Sequence, residues 1–176
     1  MSAVASGIGL SLSIDFDLTG MDSFFDRLEE GVQDITGNPL GQGFLEGAKS
    51  YDEGIFQRFG EYSQGGGDWA ALSPKYAARK LKTLGHEYIL VWSGHLFLSV
   101  RAGASDNILF LLPDGVVTGT DSRIAAFHQF GTSRMAARPF MVAPDDPGMP
   151  STTLDNMTFD IERGFQRLID YCAQGV

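Results

Sequence analysis

Residues 8–18 alternate strictly: Ile8, Leu10, Leu12, Ile14, Phe16 and Leu18 are apolar, and glycine, serine or aspartate fills every gap. A period of two sustained over this length predicts a half-buried strand, so the chain needs a sheet as well as helices. Gly20 closes the segment. Asp22 or Ser23 can then cap a helix through Phe24, Phe25, Leu28, Val32 and Ile35, whose spacing marks one apolar face.

The stretch 37-GNPLGQG-43 is expected to break that helix. A second follows at about 44–60, with Phe44, Leu45, Ala48, Tyr51, Ile55, Phe56 and Phe59 as its buried stripe. Gly47 and Gly54 each weaken it by about 1 kcal/mol relative to alanine. Close packing against a neighbour would explain both. A glycine-rich loop then leads to Ser73-Pro74, a pairing of N-cap and first helical residue, which predicts a helix at 74–83 with Gly85 past its end. Strands are expected at 97–102, 107–112 and 115–119, with Pro113-Asp114-Gly115 turning the chain between the last two. A short helix at 122–130 should stop at Gly131, followed by a short strand at Met141–Ala143 and a loop at 144–152. The final helix, 153–172, carries a stripe of Leu154, Met157, Ile161, Phe165, Leu168 and Ile169. With no internal repeat and no sign of a second core, residues 1–176 read as one α+β domain, an antiparallel sheet flanked by helices with extended loops or arms.

Composition narrows the function. The net charge is −9, which argues against a general nucleic-acid binder, since such proteins displace phosphate counterions with Lys and Arg. It suits a soluble acidic surface, or one past which a polyanion can slide. Cys172 is the one cysteine, so an intrachain disulfide and a CxxC metal site are both excluded. A packed thiol on the last helix is expected. No run of eighteen apolar residues occurs, so no membrane span is expected. The start lacks a basic region typical of signal peptides, which predicts a cytosolic protein.

Candidate sites are few. Gly65-Gly66-Gly67 is followed by Asp68 and Trp69, not by the Gly-Lys-Ser/Thr that a phosphate loop needs. His86, His95 and His128 lie at no metal-ligand spacing. His128 with Asp121 or Ser122 could suggest a small hydrolase, yet no G-x-S-x-G turn is present. A structural histidine near a helix end is the better reading, with Ile124, Phe127 and Phe130 on the buried side and Gly131 in the left-handed position beyond. Lys75, Arg79 and Lys82 share a face of the helix at 74–83. That face is either solvated, or docks on an acidic neighbour, or serves a DNA-binding accessory role. The segment 132-TSRMAAR-138 is small, polar and basic, and reads as an extended arm carrying Arg134 and Arg138, pinned by Phe140.

Three pieces in this order resemble the bacteriophage virion morphogenesis family, the Mu-like tail-completion and neck proteins: 68-DWAALSPKYAARK-80, 89-ILVWSGHLFLSV-100 and 116-VVTGTDSRIAAFHQFGTSRMAARPFM-141. In the family they look like a W-x-x-L-S loop into a lysine-rich helix, an I-L-x-x-[ST]-G-x-L-x-x-S segment, and a V-G-T…A-x-x-H-Q-F-G-T…A-R-P-F block. The resemblance implies a structural virion protein that assembles as a ring of six copies in the neck, between capsid portal and tail. Its partners would be copies of itself, neighbouring connector and tail-tube proteins, and genomic DNA passing through an acidic lumen. It implies no catalytic residue, cofactor or metal. Trp69, Lys75, Arg79, Lys82, Arg134, Arg138 and Phe140 are the expected subunit contacts, and His128, Phe130 and Gly131 the expected helix stop.

Overall fold

The computed structural model describes residues 19–174, so the alternating segment 8–18 lies outside the described residues. Among the described residues, six helices and one hairpin make up an α+β fold. They are α1 (Thr19–Gln33), α2 (Pro39–Ser63), α3 (Pro74–Leu84), α4 (His95–Ser99), β1 (Asn107–Leu112), β2 (Gly115–Thr120), α5 (Ala125–Phe130) and α6 (Thr152–Ala173).

The longest helix begins where a break was expected. The side chain of Asn38 accepts from the N–H groups of Leu40 (2.9 Å) and Gly41 (3.2 Å), and Pro39 takes the first helical position. The Asn-Pro pair is thus an N-cap, and Gly41 and Gly43 lie inside α2. Gly37, at φ +78°, makes the turn on its own.

Glycines set how α2 meets α6. A Cβ on Gly43 would lie 2.8 Å from the Asp160 carbonyl oxygen and 2.8 Å from Gly164 Cα, and one on Gly54 would lie 2.4 Å from Thr153 Oγ1. Gly47 faces Ile161 and Met157 at 3.3 Å. The pairings run in opposite directions along the two chains, so the helices are antiparallel and touch backbone to backbone. Close packing therefore accounts for Gly47 and Gly54. It also shifts the buried face of α6 to Thr153, Gly164, Leu168 and Cys172, leaving Leu154 and Phe165 of the expected stripe exposed.

On another side of α2 lies the β1–β2 hairpin, antiparallel with Asn107 opposite Thr120 and Leu112 opposite Gly115. Buried Asp52 of α2 accepts from Asn107 Nδ2 (3.0 Å) and Thr118 Oγ1. Burial pushes its carboxyl up, and these two bonds oppose the shift. The strand expected at 97–102 is instead α4, one helical turn whose Leu96, Ser99 and Val100 face inward at helical spacing. Met141–Ala143 forms no strand either.

Two apolar clusters are strung along α2. Near its C-terminal half, Ile55, Phe59, Trp69, Ile89, Leu96, Val100, Ala125, Phe140 and Met149 pack together. Near its start, Ile35, Leu40, Leu168 and Cys172 do so, with Leu28, Phe44 and Leu111 against them. The thiol of Cys172 is fully buried there.

Candidate functional site

The loop 64–73, the segment 85–94 and the stretch after α5 have little regular structure, yet their side chains bind one another's backbones. The Pro139 carbonyl accepts from Trp69 Nε1 (2.8 Å) and Arg58 Nη1 (2.8 Å). Arg138 donates from Nε to the Ala70 carbonyl (2.8 Å) and from Nη2 to the Ala71 carbonyl (3.2 Å). Phe140, 1% exposed, sits edge-on to Phe59, which also meets Trp69 edge-on. Each bond satisfies a carbonyl that no strand or helix could reach.

Gln129 holds the return of the chain. Its Oε1 accepts from the N–H groups of Phe140 and Met141, both at 3.1 Å, and its Nε2 donates to the Met141 carbonyl at 2.6 Å. One side-chain amide thus stands in for a neighbouring strand along 140–141. The Arg138 N–H adds a bond to the His128 carbonyl (2.8 Å). Between these points Thr132 and Met135 pair across a tight turn. Residues 132–140 are therefore a folded-back loop, not an extended arm. Gly131 has φ +73° and ψ −179°, and a Cβ there would meet the Ala137 nitrogen at 2.7 Å. Only glycine allows this return.

The face of α5 is the reverse of the one expected. Ala125 is buried, while Ile124, Phe127 and Phe130 are 45%, 56% and 80% exposed. The anchoring after the helix is done by Gln129 and Phe140, which leaves the large α5 side chains outside. His128 is half-buried, and its Nδ1 is enclosed without a hydrogen-bond partner. Burial, then repulsion from Arg138, holds its pKa below the ordinary value, so the ring is neutral and does not act as a cation at the helix end.

These segments enclose a cleft of about 540 Å³. Leu72, Ser73, Trp92, Leu96, His128 and Arg134 line it, drawn from all three motif segments. Lys80, Arg138, His95, His128 and Arg134 contribute to its wall and no Asp or Glu does, on a chain of net charge −9. A carboxylate to orient His128 as a base is thus missing from the lining, and the charge of Arg138 acts against a proton on the ring.

The basic helix divides. Lys75, Arg79 and Lys82 of α3 are exposed, but Lys80 is 1% exposed and donates its ammonium to the Tyr88 carbonyl. Burial lowers its pKa. Arg79 leans over Trp92, which stacks on Tyr76 at 6.2 Å. Ser73 makes no side-chain cap, although Gly85 closes α3 in the left-handed conformation as expected. Of the seven residues expected to meet another subunit, Trp69, Arg138 and Phe140 are buried in their own chain, while Lys75, Arg79, Lys82 and Arg134 are at the surface. Gln129 and Arg58 had no role assigned from sequence. Gln129 lay inside a motif, and Arg58 was a lone cation in the apolar stretch of α2, the two signals that could have found them.

Among the described residues no group of three or more His, Cys, Asp or Glu is placed to hold a metal ion, and no helix is long and apolar enough to cross a membrane. No curated protein and no solved structure matches the chain significantly. The model of the phage virion morphogenesis family matches residues 48–154, well over half the chain. That span runs from within α2 to the start of α6 and takes in the hairpin, the cleft and every bond that knits the loops. The chain belongs to the phage virion morphogenesis family, and its role is structural, in the assembly of the virion.

Proposed function

We propose that the protein forms a closed ring, of six copies, at the head–tail junction of the virion. There it completes or terminates the tail and meets connector and tail-tube proteins, after assembling in the host cytoplasm. The observation that carries this reading is the amount of large apolar surface left open: Phe25, Phe110, Phe127, Phe130, Phe159 and Tyr171 are each about half exposed or more. They are spread over α1, β1, α5 and α6, so several elements offer apolar surface that neighbouring copies can cover. Lys75, Arg79, Lys82 and Arg134 supply a basic face for an acidic neighbour, which a second copy at net charge −9 provides. Trp69, Arg138 and Phe140 act from beneath by fixing the loops that present it. An acidic lumen lets DNA pass without holding it.

Native mass spectrometry at graded concentrations tests the ring, with a species of six 19.1 kDa chains expected. A chain that stays monomeric throughout would refute it. Tight, steeply salt-dependent binding to duplex DNA would instead favour a DNA-binding accessory protein.

A further inference from the structure

Among the described residues, two of the three buried cations border the cleft. Lys80 and Arg138 are 1% and 7% exposed, line its wall, and donate to main-chain carbonyls alone. Neither forms an ion pair among the described residues. Arg58, the third, has the face of the Tyr62 ring 4.2 Å from its guanidinium. Buried charges are ordinarily paired, because an ion loses strong hydration and a carbonyl restores only part of it. Burial lowers the pKa of both Lys80 and Arg138, and Tyr76 alone acts the other way, on Arg138. Exposed Arg134 adds a third cation to the wall, while His95 is already paired with Asp106 at 3.2 Å. The chain has 22 Asp and Glu against 13 Lys and Arg, yet none of the acids lines this cleft.

The remaining acids of the chain are out of reach. The cleft adjoins the C-terminal half of α2, where Leu96 of its lining packs with Phe59. Arg27 Nη1 donates to the Cys172 carbonyl (3.5 Å), and a Cβ on Gly31 would lie 2.8 Å from Leu168 Cδ1, so α1 runs antiparallel to α6. Gly43 of α2 lies against Gly164, which carries the end of α6, and Thr19 at the start of α1, past the opposite end of α2. At 1.5 Å per residue, Thr19 and the cleft are about 40 Å apart. Asp15 and Asp17 are the acidic residues within 1–18, and the reach of the chain keeps both within roughly 20 Å of Thr19. Residues 175–176 are Gly and Val. The counter-charge therefore comes from another molecule.

We propose that the cleft binds a carboxylate side chain carried on an apolar segment of a partner protein. The carboxylate lies against Lys80, Arg134 and Arg138, and its apolar neighbours lie on Tyr76, Trp92 and Ile124. Those three are 40%, 42% and 45% exposed and belong to the lining, so the site joins an apolar surface to an unpaired basic wall. Aromatic and arginine side chains in a concave site are the usual anchors of protein contacts. A volume of about 540 Å³ holds a few side chains. Duplex DNA instead presents its phosphates on a convex rod, and the net charge of −9 repels it. This docking site adds a partner contact to the assembly role and does not depend on the ring.

Isothermal titration calorimetry of the full chain tests it, with a terminally blocked heptapeptide carrying one glutamate among leucines and phenylalanines. The same peptide with glutamine is expected to bind roughly tenfold more weakly, since the buried cations then stay unpaired. Arg134→Glu, at an exposed position, should weaken the glutamate peptide by a similar factor. Lys75→Glu makes the same change of charge outside the lining and should leave binding unchanged. Circular dichroism checks that each variant folds, and Arg134→Ala replaces Arg134→Glu if it does not. No binding of the glutamate peptide, equal binding of both peptides, or equal loss in both variants overturns the inference. Inorganic phosphate that binds more tightly than the peptide assigns the cleft to phosphoryl groups and overturns it too. A chain that stays monomeric yet binds the glutamate peptide removes the ring and supports this docking site, and rings that bind no peptide do the reverse.

Discussion

Gly43→Ala isolates the contact that holds α2 to α6. The new methyl would lie 2.8 Å from both the Asp160 carbonyl oxygen and Gly164 Cα. Ordinary contact begins at about 3.5 Å, so the helices must part by roughly 0.7 Å, enough to forfeit a quarter to a half of the dispersion attraction along the seam. Overpacking costs about 1–3 kcal/mol, and backbone that cannot rotate away puts this contact in the upper half, at about 2–3 kcal/mol. Against it stands a gain of about 1 kcal/mol from helix propensity and a less flexible unfolded chain. The obstacle is backbone on both sides, which cannot rotate away, so the cost wins. A net loss of about 1–2 kcal/mol is expected, or a melting temperature lower by roughly 2–8 °C for a domain of this size. Gly47→Ala is the control, because its methyl would meet Ile161 Cγ1 and the Met157 carbonyl at 3.3 Å. The needed give is a few tenths of an ångström, so that variant should be neutral or more stable by up to about 1 kcal/mol. Urea and thermal melts followed by circular dichroism measure both. A Gly43→Ala protein as stable as Gly47→Ala would show that the seam yields freely and would refute the reasoning.

The loop assembly gives three more tests. Gln129→Ala removes three bonds to 140–141 and should cost about 2–3 kcal/mol, with faster hydrogen exchange at the Phe140 and Met141 amides; unchanged exchange would refute the clamp. Arg138→Ala leaves the Ala70 and Ala71 carbonyls without their charged donor and should cost about 2–3 kcal/mol, whereas Arg138→Lys, which cannot fork to both, should retain part. Equal melts for Lys and wild type would contradict the forked contact. For His128 the folded pKa is depressed, so the unfolded chain takes up the proton first as pH falls through about 6.5. Its contribution is complete above that pH and is lost below it, which makes stability rise with pH across the window. His128→Gln should flatten that slope relative to wild type in melts between pH 5 and 8, and parallel slopes would refute the assignment.

Local chemistry in the sequence located most elements. Ser73-Pro74 and Gly85 bounded α3, and Pro113-Asp114-Gly115 turned β1 into β2, because these residues act through their own backbones. The errors share a cause. The glycines that follow Asn38-Pro39 obscure it as a cap, yet they serve distant contacts: Gly43 meets α6 at Asp160 and Gly164, and Gly41 lies against Ile35 and Leu111. The run at 95–100 is apolar enough for a strand or a helical turn, and only burial of Leu96, Ser99 and Val100 decides. Phe127 and Phe130 are large apolar groups of the kind that usually face inward, whereas here the smaller Ala125 faces the core. At the cleft, the motifs identified the participants but not their bonds. Arg138 binding two carbonyls of the 64–73 loop is a contact between distant segments, and nothing local encodes it.

Arg58, Lys80 and Arg138 are all buried, and each donates to main-chain carbonyls of a segment with little regular structure. The helix pair α2–α6 is locked by backbone contact, while the loops around the cleft are fastened by three long cationic tethers. These two attachments can fail separately. Releasing the tethers rehydrates three charges that water receives well, so the loops can open as a unit while the helical seam stays shut. The molecule is thus a rigid spine with a detachable face, and the cleft lies on the detachable side.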